Sequence, residues 1–255
     1  VLTMLERLVG FDTTSRLSNL ALIEWIEGLL APLGATCVRL PDPTGQKANL
    51  WARIGPDVAG GIVLSGHTDV VPTDGQVWDT DPFTLTVRGD RVYGRGTSDM
   101  KSFIALALAF ADRFAREGLA RPVHFAFSYD EEVGCLGAPA MIDEIVRRGP
   151  APSAVLVGEP TCWGVVTAHK GISTFYVEAH GREAHSSQTQ LGASAIMAVL
   201  PVLEEINRQA RRAASRPASS TLSFTPAHTT LTIGEIHGGT AVNILAKSCR
   251  FVFDL

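Results

Sequence analysis

Apolar positions recur with helical spacing at Leu20, Ile23, Ile26, Leu29, Leu30 and Leu33, which predicts an amphipathic helix there. Ala48 to Ile54 and Ile62 to Leu64 are short apolar runs between turn signals and read as strands. Further along, Met100 to Phe114 reads as a helix, Val123 to Ser128 as a strand, Pro139 to Arg148 as a helix and Ala154 to Val157 as a strand. Strands alternating with helices predict an α/β domain over residues 1–168, a mainly parallel sheet with helices on both faces. The pattern changes at Lys170-Gly171. A strand over Thr174 to Ala179, a helix over Ala193 to Ala213, a polar loop over Ser215 to Pro226 and strands over Thr229 to Ile236 and Asn243 to Phe253 predict a smaller α+β domain, residues 169–255.

Composition changes this picture little. The 255 residues are 45% hydrophobic, enough for a buried core in each domain. A net charge of −4 implies no strongly basic face and argues against nucleic acid as a partner. The longest apolar run, Phe103 to Ala111, is too short to span a membrane, and Val1 to Gly10 lacks the pattern of a secretion signal. Cys37, Cys135, Cys162 and Cys249 form no C-x-x-C pair and read as reduced thiols, so a cytoplasmic location is expected.

The candidate chemistry lies directly after the strands. Ile62 to Leu64 is followed by Gly66-His67-Thr68-Asp69, Val123 to Ser128 by Asp130-Glu131-Glu132, and Ala154 to Val157 by Gly158-Glu159-Pro160. A turn, Gly94-Arg95-Gly96-Thr97-Ser98, delivers Asp99 just before a helix. A single His or Asp after a strand is usually a polar turn residue. Four such sites at strand ends that a parallel sheet brings together are harder to explain that way, because open α/β sheets build their sites at the carboxyl ends of strands. Imidazole with carboxylates suits zinc, with cobalt or manganese as substitutes.

The ordered set Gly66 to Pro72, Gly94 to Lys101, Asp130 to Gly134 and Gly158 to Thr161 resembles the co-catalytic zinc family of aminoacylases, acetylornithine deacetylases, succinyl-diaminopimelate desuccinylases and glutamate carboxypeptidases. The resemblance implies a two-zinc amidohydrolase. By it, His67 binds one zinc, Asp99 bridges both, Glu132 binds one and Glu159 the other. Glu131 is then the general base, and Asp69 hydrogen-bonds the far nitrogen of His67.

In the second domain, Gly181 to Ser187 resembles the motif whose histidine reaches the active site from a partner subunit, here His185. The resemblance thus implies a homodimer formed through a lid domain. Gly238 to Asn243 resembles the glycine-rich turn whose Asn, here Asn243, touches substrate; Ala246 stands where the family often has Pro. Tyr129 to Gly137 and His169-Lys170-Gly171 look most like the acetylornithine deacetylases. They imply a small-molecule N-acyl amino acid as substrate, N-acetylornithine first, within arginine biosynthesis. A desuccinylase, another aminoacylase, a carbamoylase or a metallopeptidase would use the same metals, and a non-catalytic binding protein on this fold is the remaining alternative. The family has a fifth metal ligand, a histidine late in its catalytic domain, whereas all seven histidines here precede residue 238. The expectation is that residues 1–255 are part of a longer chain. His124 reads as a packed strand residue, His169 as structural, His180, His228 and His237 as without a motif, and Trp25, Trp51, Trp78 and Trp163 as core or pocket wall.

Overall fold

The computed structural model describes residues 1–148, 150–216 and 224–255. The chain divides into two compact units, Val1–Gly164 and Val165–Leu255, each of which is described by itself. The division falls four residues before the one read from the sequence, so that Val165 to Ala168 go with the second unit. Residues 217–223 of the polar loop lie outside the described residues.

The first unit is built on a five-stranded sheet of β1 (Thr36–Pro41), β2 (Ala48–Ile54), β3 (Ile62–His67), β6 (Val123–Ser128) and β7 (Ala154–Val157), in the order β1-β2-β6-β3-β7. A two-stranded ribbon of β4 (Thr86–Arg88) and β5 (Arg91–Tyr93) stands apart from it. The β3–β6 and β3–β7 pairs are parallel, whereas β2 is antiparallel to both β1 and β6. Four strands therefore run one way and β2 alone runs against them. Helices α1 (Leu2–Val9), α2 (Leu20–Leu30) and α3 (Lys101–Arg116) bury Leu8, Val9, Leu22, Ile23, Ile26, Ile104 and Leu108 in one core with Leu50, Phe125 and Phe127 of the sheet. On the other face α4 (Ala138–Arg148) packs Met141 against Trp51, Val63 and Ala126. Strand alternation sends Phe125 and Phe127 to one face and Ala126 to the other, so each face has its own helical cover. The elements predicted from the sequence do not include α1, although Leu2, Leu5, Leu8 and Val9 carry the helical spacing.

The second unit has a three-stranded antiparallel sheet of β8 (Thr174–His180), β10 (Ser248–Asp254) and β9 (Thr232–Gly238), with β10 in the centre. Helix α5 (Ala195–Ala214) lays Ala195, Val199 and Ile206 on Cys249 and Phe251. It starts two residues later than predicted, because Ser194 caps it by accepting a hydrogen bond from the Met197 amide at 3.3 Å. The last strand begins at Ser248 rather than Asn243. Ile244 and Leu245, which extend the apolar pattern, turn away to pair with the chain around His185. Among the described residues, no helix is long and apolar enough to cross a membrane.

Candidate metal centre

Because β3, β6 and β7 are parallel neighbours, their carboxyl ends lie side by side. β3 ends on His67 itself, while Glu131 and Glu132 follow β6 and Glu159 follows β7. Gly158, just before Glu159, passes close against α3: a Cβ at 158 would lie 1.9 Å from the Phe103 ring. Asp99 arrives just ahead of α3, whose Met100 packs under Gly66, and the Met100 sulfur accepts a hydrogen bond from the His67 amide at 3.3 Å.

His67 is buried, and its two ring nitrogens have different surroundings. Nδ1 lies 2.9 Å from the Asp69 backbone carbonyl and 3.5 Å from its carboxylate. A carbonyl can only accept, so Nδ1 carries a proton, and Nε2 is the nitrogen that would give its lone pair to a cation after losing its own proton. Nε2 faces Asp99 Oδ1 at 2.9 Å, Glu131 Oε2 at 3.9 Å and Glu159 Oε1 at 3.9 Å. Ligand atoms of His67, Asp99 and Glu159 all lie within 4.8 Å of one another. Glu132 falls outside this group of three, yet it feels the same field. Burial first, then the Asp99 charge, pushes its carboxyl up to about 6. Glu159 is raised by burial and by Asp99 and Glu131. Burial draws His67 toward the neutral form, but the hydrogen bond and charge of Asp69, with Asp99 and Glu131, override it and hold the imidazole up at about 9. Half-buried carboxylates crowded around one imidazole nitrogen form a donor set that a divalent cation fits: hard oxygen and borderline nitrogen ligands, with the repulsion among the carboxylates relieved by the cation.

Asp69 does more than contact His67. Its Oδ1 accepts the Glu131 amide at 3.0 Å, and its Oδ2 accepts the Glu132 amide at 3.3 Å and the Ser15 hydroxyl at 2.7 Å. Burial works against this carboxylate, but the bonds from His67, Ser15 and Glu131 keep its pKa below the usual range. The sequence reading gave Asp69 only the histidine. In the structure its backbone carbonyl holds that ring, and its carboxylate braces the two glutamates.

Several supporting residues went unnoticed in the sequence. Asn49 donates to the Gly137 carbonyl at 2.8 Å and accepts from the Tyr129 amide at 3.2 Å, which closes the loop holding both glutamates. A Cβ at Gly137 would come within 2.6 Å of Asn49 Oδ1 and of the Tyr129 carbonyl. Thr13 donates to the Thr68 carbonyl at 2.6 Å, and Asn19 to the Thr68 hydroxyl at 2.9 Å. The polar run Asp12-Thr13-Thr14-Ser15 after the apolar α1 was the available signal, but its partners lie more than fifty residues away. Lys101, at the end of the Gly94–Lys101 motif, is fully buried and donates to the Leu8 and Phe11 carbonyls at 3.0 and 2.8 Å. Burial lowers it to about 7 against the pull of Asp12 and Asp69. His124 packs on Trp51 with ring centroids 5.7 Å apart, as a strand residue should, whereas Trp163 is 99% exposed and belongs to no core.

In the second unit His185 is exposed. Its Nδ1 accepts the Ser187 amide at 3.2 Å and lies 2.8 Å from the Ser187 hydroxyl, which leaves an Nε2–H free to donate. The Ser186 amide donates to the Asn243 carbonyl at 2.9 Å, and the Leu245 amide to the Ala184 carbonyl at 2.9 Å. The two motifs singled out in this part of the sequence therefore sit on paired backbone.

The chain is 34% identical over 245 residues to an acetylornithine deacetylase of Erwinia tasmaniensis, covering 96% of this chain and 62% of that protein. It is 34% identical over 239 residues to the acetylornithine deacetylase of Salmonella arizonae, covering 93% and 61%. It thus spans about three fifths of the length of these relatives. Among solved structures, human carnosine dipeptidase 1 superposes with a TM-score of 0.69 at 17% identity, over 99% of this chain and 68% of that one. The M20 family metallo-carboxypeptidase Sso-CP2 of Sulfolobus solfataricus gives 0.68 at 17% identity, over 99% and 70%. The model of peptidase family M20/M25/M40 matches residues 63–249, a span that holds every residue of the cluster, and the chain belongs to that family.

Proposed function

We propose that this chain carries the metal-binding and base-bearing part of an amidohydrolase that deacetylates an N-acyl amino acid, with N-acetylornithine as its first substrate. The observation that carries this reading is the convergence of His67 Nε2, Asp99 and Glu159, with the Glu131 carboxylate 3.9 Å from the same nitrogen. The names of the two 34%-identical relatives support the choice of amide. His67, Asp99 and Glu159 would hold one zinc ion, and Asp99 and Glu132 would contribute to a second, with cobalt or manganese as substitutes. Such metals polarise a carbonyl and lower the pKa of water toward about 7.

The protein's own groups account for the rest. Glu131, anchored through its amide and contacted at Oε1 by the Cys135 thiol at 3.6 Å, takes the proton of the attacking water and passes it to the leaving amine. Asp69 fixes the His67 tautomer. In a homodimer formed through the second unit, His185 from one subunit donates Nε2–H to the substrate carbonyl oxygen of the other, and Asn243 contacts the substrate. The reading places the protein in the cytoplasm, in arginine biosynthesis.

A side-by-side assay of the zinc-loaded full-length protein on N-acetylornithine, N-acetylmethionine, N-succinyl-diaminopimelate and a Glu-terminated dipeptide tests it. N-acetylornithine is expected to give the highest kcat/KM. Preference for the succinyl compound or the dipeptide would overturn the substrate, and hydrolysis of none of the four would overturn the activity.

A further inference from the structure

Glu131 and Glu132 are adjacent, yet the proposed chemistry gives them different tasks and so different directions. The residue before them, Asp130, holds the left-handed conformation, φ 54°, which a non-glycine residue adopts only at a cost. Asp130 is 8% exposed, and the Lys47 ammonium contacts both of its carboxylate oxygens, at 2.5 and 2.7 Å. Lys47, just ahead of β2, also donates to the backbone carbonyl of Ser15. The Ser15 hydroxyl donates to Asp69 Oδ2, and the Asp69 carboxylate receives the amides of Glu131 and Glu132. These contacts close a ring: Lys47, Asp130, the Glu131-Glu132 backbone, Asp69, Ser15 and back to Lys47. Four segments remote in sequence meet in it, with one ammonium serving a buried carboxylate and the loop that steadies a second.

We propose that Lys47, acting through Asp130, and Ser15, acting through Asp69, are positioning residues that fix the directions of the Glu131 and Glu132 side chains. Neither is among the residues proposed to hold metal or to contact substrate. This rests on the reading of Glu131 as base and Glu132 as ligand. The physical basis is that a side chain held within a few tenths of an ångström of its working place must be backed by groups that are themselves held, and a misplacement of about 1 Å can cost a hundredfold in rate. A charge-assisted, two-pronged contact on a left-handed residue is such a backing.

The test uses the full-length protein as wild type, Lys47→Met, Lys47→Arg, Ser15→Ala and the double variant Lys47→Met/Asp130→Asn. The double variant removes both buried charges, and Asn tolerates the left-handed backbone. Thermal stability, zinc content, kcat and KM on N-acetylornithine, and hydrogen–deuterium exchange of the peptide covering residues 129–137 are measured on each. Lys47→Met is expected to lower kcat by roughly tenfold to a hundredfold with KM nearly unchanged, and to speed exchange at residues 129–137. Ser15→Ala should do the same more weakly, and Lys47→Arg should recover part of the rate. The double variant should regain thermal stability without regaining kcat or slow exchange. A rate that returns together with stability would mean that Lys47 only neutralises a buried charge, and would overturn the proposal. So would a Lys47→Met variant with wild-type kcat and exchange. If the wild type hydrolyses no amide, the functional reading fails, and the exchange and zinc measurements still decide whether the ring holds the loop.

Discussion

The two units carry their singled-out residues in opposite ways. In the first, His67 and Asp69 are 2% exposed and Asp130 is 8% exposed, each contacting side chains or backbone from distant segments, His67 through Asp99 and Met100. In the second, His185 and Asn243 lie on exposed turns held mainly by backbone pairing, and the described His185 side-chain contact is local, to Ser187. A group that binds metal or moves a proton needs fixed direction and a low-polarity setting, which burial and cross-bracing supply. A group that meets a substrate across a boundary must stay accessible. The contrast predicts that substitutions at the metal-facing His67 and Asp99 and at their brace Asp69 disturb metal binding and rate together, whereas those at His185 and Asn243 disturb rate alone.

The sharpest way to break this contrast is Asp99→Asn. Asp99 Oδ1 lies 2.9 Å from His67 Nε2 at the centre of the donor set, so the variant should lose most bound zinc and all measurable turnover. Elemental analysis and the amide assay check it, and zinc retained at the wild-type level would contradict the ligand role.

His185→Ala comes next. It should keep full zinc content and the wild-type melting temperature while kcat falls roughly 10²–10³-fold, the usual size of a lost oxyanion donor. Mixing it with Glu131→Gln protein should restore part of the activity if the histidine acts across a dimer. No restoration despite proven subunit exchange would contradict that.

A smaller effect sharpens the energetic side. Gly158→Ala places a methyl group 1.9 Å from the Phe103 ring, so it should destabilise the first unit by about 1–3 kcal/mol. Hydrogen exchange should rise in Val1–Gly164 and stay constant in Val165–Leu255.

A further test concerns pH. Protons compete with metal at His67, held up at about 9, and at Glu132, raised to about 6. Metal requires the deprotonated forms of both, so lowering the pH always weakens binding. Zinc affinity should therefore decline below pH 9 as His67 takes up a proton, and decline more steeply once the pH passes below about 6. An affinity flat between pH 8 and 5 would place the metal elsewhere.

Much of this was legible in the sequence because the relevant signals are local. Apolar periodicity marked α2, α3 and α5, and His67, Glu131, Glu132 and Glu159 announce themselves as polar groups directly after strands. The ring around Asp69 was not legible. Ser15, Lys47 and Asn49 act on partners 54 to 88 residues away, and nothing in a lysine before a strand or a serine in a polar run says which carboxylate it will meet. The reversed direction of β2 was hidden for the same reason, since a buried apolar strand reads alike in either direction. The start of β10 was misplaced because Ile244 and Leu245 prolong an apolar pattern that tertiary pairing interrupts.

Glu131→Gln, measured for zinc content and kcat on the same sample, decides whether ligand and base are separate groups held in one braced cluster. Zinc at the wild-type level with kcat lowered roughly 10²–10⁴-fold is the expected result. Loss of zinc in that variant, or full turnover with zinc in place, would contradict it.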